Sequence, residues 1–237
     1  MLVFPRRSAL GLMATLALTA CGTGQKTAQS SKAASGNQAS ETSPSASPAG
    51  EQSVETGERT DSGYHLNTVL EGAPTVTLYT DLQCPYCART DPTYREVARR
   101  LAGTMNLTVR HFPLPMHANA LPAAQAVQAA EKQGAYMAMS GKIFEHQTEW
   151  KGLTDIAQLT EIFTGYAREL KLNTDRFIAD LPDAAGLKLI QDEFEAGNEV
   201  GVHGTPSFVI DGVLVEKVDS STSADHMVAA FTEQAGL

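Results

Sequence analysis

Two cysteines with two residues between them, Cys84-Pro85-Tyr86-Cys87, stand where a strand-like run, Thr75 to Thr80, gives way to a helical one that begins at Cys84. A Cys-x-x-Cys pair constrains the chain strongly, because its spacing at a helix start lets the two sulfurs meet. There the first sulfur faces the positive end of the helix dipole and backbone N–H groups that have no partner within the helix, and both lower a thiol pKa. The thiolate is the attacking species in disulfide exchange. Cys84 is therefore the candidate nucleophile, and Cys87, one helical turn inward, the candidate resolving thiol. Pro85 suits the first helical position, whose N–H is unpaired in any case.

The pair has two rival readings. A stabilising bridge that closes only two intervening residues constrains the unfolded chain very little. Half of a zinc site has the same spacing, but zinc takes four ligands. The sequence has no second Cys-x-x-Cys, and its six histidines (65, 111, 117, 146, 203 and 226) show no paired ligand spacing with the first. No metal is expected, and no cofactor beyond the redox-active Cys84–Cys87 disulfide.

The remaining cysteine, Cys21, belongs to the N-terminus. Arg6 and Arg7 precede an apolar run from Ala9 to Ala20, shorter than the roughly 20 residues that span a bilayer, and Leu18-Thr19-Ala20-Cys21 follows. Residues 1–20 resemble a bacterial lipoprotein signal peptide, which implies that Cys21 is acylated and the protein anchored on the extracytoplasmic face of the cell membrane. An ordinary secretory signal with a coincidental cysteine is the alternative. The Arg6-Arg7 pair also suits twin-arginine export, although Pro5 and Ala9 match it poorly, so the export route stays open. Loss of residues 1–20 removes two positive charges and no negative ones, taking the formal charge from −9 to −11. So acidic a chain disfavours nucleic acid as a partner.

Residues 21–62 are rich in Ser, Thr, Ala, Gln, Gly and Pro and nearly free of large apolar side chains, which predicts a flexible linker with a span of about 35 Å. Residues 63–237 are long enough for one folded domain with a real core. Within it the pattern predicts strands at His65–Val69, Thr75–Thr80 and Asn106–Phe112, with a helix from Cys84 to Leu101 between the last two. A helical stretch of three or more helices follows, from about Asn119 to Glu199. Ser207–Ile210 and Val213–Glu216 flank Asp211-Gly212, a hairpin signal, and a last helix runs from Ser223 to Ala235. The order β-α-β, helical insertion (about residues 117–199), β-β-α is that of an α/β thioredoxin fold interrupted by a helical lobe.

Four segments carry a family resemblance: Tyr79-Thr80-Asp81-Leu82-Gln83-Cys84-Pro85-Tyr86-Cys87, Arg110-His111-Phe112-Pro113-Leu114-Pro115-Met116-His117, Lys142-Ile143-Phe144-Glu145-His146-Gln147 and Gly201-Val202-His203-Gly204-Thr205-Pro206-Ser207-Phe208. Together they are similar to the DsbA-like thiol:disulfide oxidoreductases, over residues 64–237. The resemblance implies that Pro206 is a cis-proline facing the active-site disulfide, with a trans-proline at the start of an edge strand as the alternative, and that Thr205 offers backbone hydrogen bonds to an extended client. It implies a client-binding rim of Pro85, Tyr86, Thr205, Pro206 and His203, reduced or unfolded exported proteins as partners, and a membrane thiol oxidase that restores the disulfide. A monomer is the default. A protonated His203 would stabilise the Cys84 thiolate if its loop faces that sulfur; a solvent-exposed histidine is the plainer reading.

Two positions depart from the family. The dipeptide is Pro-Tyr where the strongest oxidants carry Pro-His, so Tyr86 supplies no charge and a less oxidising potential is expected. Six residues before Cys84, where thioredoxin-fold enzymes often place an acid, stands Leu78. Asp81 is expected chiefly to cap the helix, with proton movement as its other reading. Phe112, Leu114, Met116, Met137, Met139, Ile143, Phe144 and Trp150 are read as core before client groove, since large apolar side chains need burial first. Disulfide donation to exported proteins is the leading function. A reductase or isomerase, and a redox-inactive binding module or holdase, are the alternatives.

Overall fold

The structure, a computed structural model, describes residues 57–237; the signal, Cys21 and nearly all of the linker lie outside the described residues. Strand β1 is Arg59–Thr60, β2 Gly63–His65 and β3 Thr75–Thr80; helix α1 is Pro85–Arg100 and strand β4 Asn106–His111. β3 and β4 pair in parallel through the α1 crossover, with Leu78 opposite Val109 and Thr80 opposite His111. A parallel pair is covered on both faces, and every β3 residue after Thr75 is buried. Strands β5 (Ser207–Ile210) and β6 (Val213–Leu214) add antiparallel beyond β3, and β2 and β1 beyond β4, giving the order β1-β2-β4-β3-β5-β6. Asp211 (φ 48°) and Gly212 (φ 86°) both lie at positive φ, as the two-residue turn between β5 and β6 requires.

Helix α1 lies on the sheet through a buried hydroxyl: Tyr94 Oη is 2.9 Å from the Val76 carbonyl and 3.0 Å from that of Thr108. Helix α8 (Ala224–Ala235) shares that face and buries Met227 and Phe231. Between β4 and β5 stand α2 (Ala120–Glu131), α3 (Tyr136–Glu145), α4 (Gln147–Trp150), α5 (Ile156–Glu169), α6 (Thr174–Asp180) and α7 (Ala184–Glu199). Asp155, Asn173 and Asp183 start the last three by accepting from Ala157, Arg176 and Gly186 N–H. Trp150, fully buried, donates to the Ile143 carbonyl and meets Phe163 edge-on. Met137, Met139, Ile143, Phe144 and Phe112 are buried too, so the core reading holds for all of these; Leu114 is half-buried and Met116 is 76% exposed. α7 covers the opposite face of the sheet. A Cβ at Gly197 would come within 2.7 Å of the Phe112 ring and 2.9 Å of Tyr79, so only glycine permits this approach.

Three boundaries differ from expectation. The strand expected at His65–Val69 ends at His65, because Asn67 leaves the ladder: its Oδ1 accepts from Leu107 N–H and its Nδ2 donates to the Ala98 and Met105 carbonyls. The second hairpin strand stops at Leu214, two residues short. The first described strand also falls inside the stretch read as linker, since Arg59 and Thr60 pair with Tyr64 and Gly63.

Candidate active site

The parallel β3–β4 pair delivers the chain to α1 at Asp81–Cys84. Cys84 occupies the N-cap position, Pro85 opens the helix, and no side chain caps it. The N-terminal N–H groups of the helix are thus left to the Cys84 sulfur. Cys84 is 3% exposed and its Sγ lies 3.4 Å from the Thr205 carbonyl oxygen. Cys87, on the first turn, is 1% exposed. Both thiols are free.

Their acidities separate. Cys84 falls from 9.0 to about 6, through the hydrogen bond from the Cys87 thiol first, against the cost of burial, then through the Cys87 N–H, the Thr205 hydroxyl and the Tyr86 N–H. Cys87 is pushed well up, by burial first and then by its neighbour Cys84. Thr205 Oγ1 is buried and has no hydrogen-bond partner, and the Thr205 side chain favours the thiolate of both cysteines. A low, N-terminal thiol beside a high, buried one is the arrangement that separates attack from resolution.

The Thr205–Pro206 bond is cis, and its loop lies against Cys84. Tyr86 is 54% exposed, its ring 5.4 Å from the Arg89 guanidinium. His203 is exposed, and the influences on Cys84 come from Cys87, Thr205 and Tyr86 rather than from it. The plainer reading of His203, a solvent-exposed histidine, fits that exposure.

Asp81 does not cap α1. Its buried carboxylate accepts from the Gln83 N–H at 2.7 Å and the Leu114 N–H at 2.8 Å, and pairs with His117 Nδ1 at 2.7 Å. The reason is position: Asp81 precedes the N-cap by three residues, so its short side chain turns to the loop after β4 instead of the first turn of the helix. The same segment is strapped to the lobe. Gln83 accepts from the Asn119 N–H and donates to the Lys151 carbonyl, and Gln147 Nε2 donates to the carbonyls of Leu82 and Cys84. Sequence reasoning missed His117, Asn119 and Gln147 as neighbours of Cys84, though two of the three lie in segments that carried the family resemblance. Leu78 is buried in the sheet, opposite Phe208.

The family model described as "Thioredoxin" matches residues 70–230. Among curated proteins, the chain is 34% identical over 149 residues to "Na(+)/H(+) antiporter NhaA 3" of Salinispora tropica, covering 62% of this chain and 22% of that protein. It is 30% identical over 148 residues to "Na(+)/H(+) antiporter NhaA" of Herminiimonas arsenicoxydans, again covering 62% and 22%. The chain thus spans about a fifth of the length of these relatives, and among the described residues no helix is long and apolar enough to cross a membrane. Among solved structures, the MdbA thiol-disulfide oxidoreductase of Corynebacterium diphtheriae aligns with a TM-score of 0.58 at 20% identity, covering 76% of this chain and 92% of that one. The oxidoreductase DsbA of Xylella fastidiosa aligns at 0.56 and 20%, covering 71% and 88%. A thioredoxin-like oxidoreductase of Silicibacter pomeroyi aligns at 0.55 and 24%, covering 70% and 89%. With the family model spanning most of the described residues, the chain belongs to the thioredoxin family, and its fold, with the helical lobe set between β4 and β5, is the one it shares with these solved oxidoreductases.

Proposed function

We propose that this protein is an extracytoplasmic thiol:disulfide oxidoreductase that donates the Cys84–Cys87 disulfide to reduced, newly exported proteins. The observation that carries the reading is the split between the thiols, Cys84 at about 6 on a helix N-terminus and Cys87 raised beneath it. A client thiolate attacks Cys84 Sγ; the client–Cys84 bond forms, and the Cys84–Cys87 bond breaks with its electron pair on Cys87. A second client thiolate then attacks the client sulfur of the mixed disulfide and expels Cys84, whose low pKa makes it a good leaving group. Two electrons and two protons pass from client to protein, and a membrane thiol oxidase restores the disulfide. Pro85, Tyr86, Thr205 and Pro206 form the rim against which the client segment lies.

The test is the equilibrium of the pair with glutathione, measured beside the melting temperatures of the two redox forms. The Cys84 pKa is depressed by folding, from 9.0 to about 6. That stability belongs to the reduced form alone, grows as pH rises from about 6 towards 9, and is lost as pH falls through 6. The reduced protein should therefore melt above the oxidised one at pH 7, and the gap should close near pH 5. Since Tyr86 adds no charge, the potential should fall between roughly −200 and −120 mV. A value near about −270 mV, with the oxidised form the more stable, would replace the oxidase reading by the reductase one. The tether is tested separately: Cys21→Ser should move the protein from membrane to soluble fractions, and unchanged membrane retention would overturn acylation at Cys21.

A further inference from the structure

We propose that Asp81 and His117 are positioning residues for the resolving sulfur: they hold the Asp81 backbone N–H on Cys87 Sγ, where it stabilises the charge that develops as the Cys84–Cys87 bond breaks. The inference rests on the exchange reaction proposed above.

Asp81 N lies 3.5 Å from Cys87 Sγ and donates to it. The peptide plane that carries this N–H is clamped at its other end, where the Thr80 carbonyl accepts from the Phe112 N–H at 2.7 Å. On the Cα side, the three bonds to the Asp81 carboxylate fix the side chain and with it the local backbone. Two of those bonds come from the loop after β4. The register that sets Thr80 opposite His111 brings Leu114 and His117 beside Asp81. The carboxylate is fully buried while the His117 ring is partly exposed, at 0% and 23%, so the imidazole closes the site from the solvent side.

The N–H acts on the step and less on the resting disulfide. A neutral disulfide sulfur is a weak acceptor, whereas a departing thiolate takes a charge-assisted bond about twice as strong as a neutral one. A donor that strengthens as charge develops lowers the barrier. The need is acute at Cys87, because burial opposes its thiolate and the Asp81 N–H is among the few groups that favour it. The electron pair of the broken S–S bond rests on Cys87 under this N–H until a proton from water neutralises it.

The experiment uses the full chain, oxidised, with glutathione as the attacking thiol. His117→Ala should slow formation of the glutathione–Cys84 adduct by about tenfold, the loss of one hydrogen bond to a charged group. His117→Asn places an amide nitrogen where imidazole Nδ1 stood and should restore most of the rate. Alkylation of Cys84 by iodoacetamide in the reduced protein should stay at the wild-type rate in both variants. If His117→Ala does not melt cooperatively, His117→Gln, whose amide sits one carbon too far out, takes its place. Wild-type exchange in the Ala or Gln variant overturns the proposal. So does an Asn variant as slow as Ala, which would make the imidazole itself the reacting group, and so does a parallel fall in alkylation, which would mark general distortion of the site. A wild-type protein that forms no adduct at all overturns the exchange function instead.

Discussion

Serine at position 84 should reduce disulfide exchange to background, whereas serine at position 87 should leave a protein that accumulates mixed disulfides with its clients. Cys84 is the sulfur at the helix N-terminus, and its pKa of about 6 leaves it mostly thiolate at neutral pH. A hydroxyl in its place has no comparable nucleophile. Cys87→Ser has no disulfide to donate, so its adducts form when the Cys84 thiolate attacks a client disulfide and releases the other client sulfur; without the Cys87 thiol such an adduct lacks its internal exit and persists. Non-reducing gels of cells carrying each variant read the outcome as reducible high-mass bands. Bands with Cys84→Ser in place of Cys87→Ser would reverse the roles. The hydrogen bond from Cys87 is also the largest influence lowering the Cys84 pKa. Cys87→Ala should therefore raise that pKa, seen as a shift of the iodoacetamide pH profile to higher pH, while Cys87→Ser, which keeps a donor, should move it less.

Arg59→Ala should cost about 3 to 5 kcal/mol of stability, as when one partner of a buried ion pair is removed, with a fall in Tm on the order of 10 °C. The guanidinium sits bidentate on Glu131 at 2.6 and 2.8 Å and reaches Glu193 at 2.6 Å. It also lies over the stacked rings of Tyr64 and Tyr136, whose centroids are 3.8 Å apart. Glu193 in turn accepts from the His111 backbone N–H. Burial already raises the Glu193 pKa, and the Arg59 charge is the main influence holding it down. Alanine strands both carboxylates. Arg59→Lys should recover only part of the loss, because an ammonium lacks the planar fork that meets Glu131 twice. Urea denaturation decides it: a loss of less than about 1 kcal/mol, the range of exposed pairs, would mean that the network behaves as a solvated one.

The local features of this fold were legible in its sequence. Alternation and turn residues placed β3, α1, β4 and the Asp211-Gly212 hairpin within a residue or two, because each depends on neighbours along the chain. The Cys-x-x-Cys pair and Thr205-Pro206 were legible for the same reason, and the resemblance joined them. Contacts between segments distant in sequence were not. Arg59 reads as linker until Glu131 and Glu193, from α2 and α7, surround it. Asp81 reads as a cap until the register of β3 on β4 turns its carboxylate towards Leu114 and His117. His203, three residues before Pro206, is exposed, and separation along a loop does not by itself bring a side chain to a sulfur.

The depth of the Cys84 sulfur sets the order of events for a client. With Cys84 only 3% exposed, a cysteine lying flush in a folded surface meets little of it. The incoming thiol has to be carried down by a stretch of backbone free to extend, as it is before a client's own core closes and no longer is afterwards. On the proposed function, access to Cys84 is therefore a clock: each client cysteine is open to exchange only until the segment around it folds, and its folding rate, as much as its chemistry, decides whether it leaves with a disulfide.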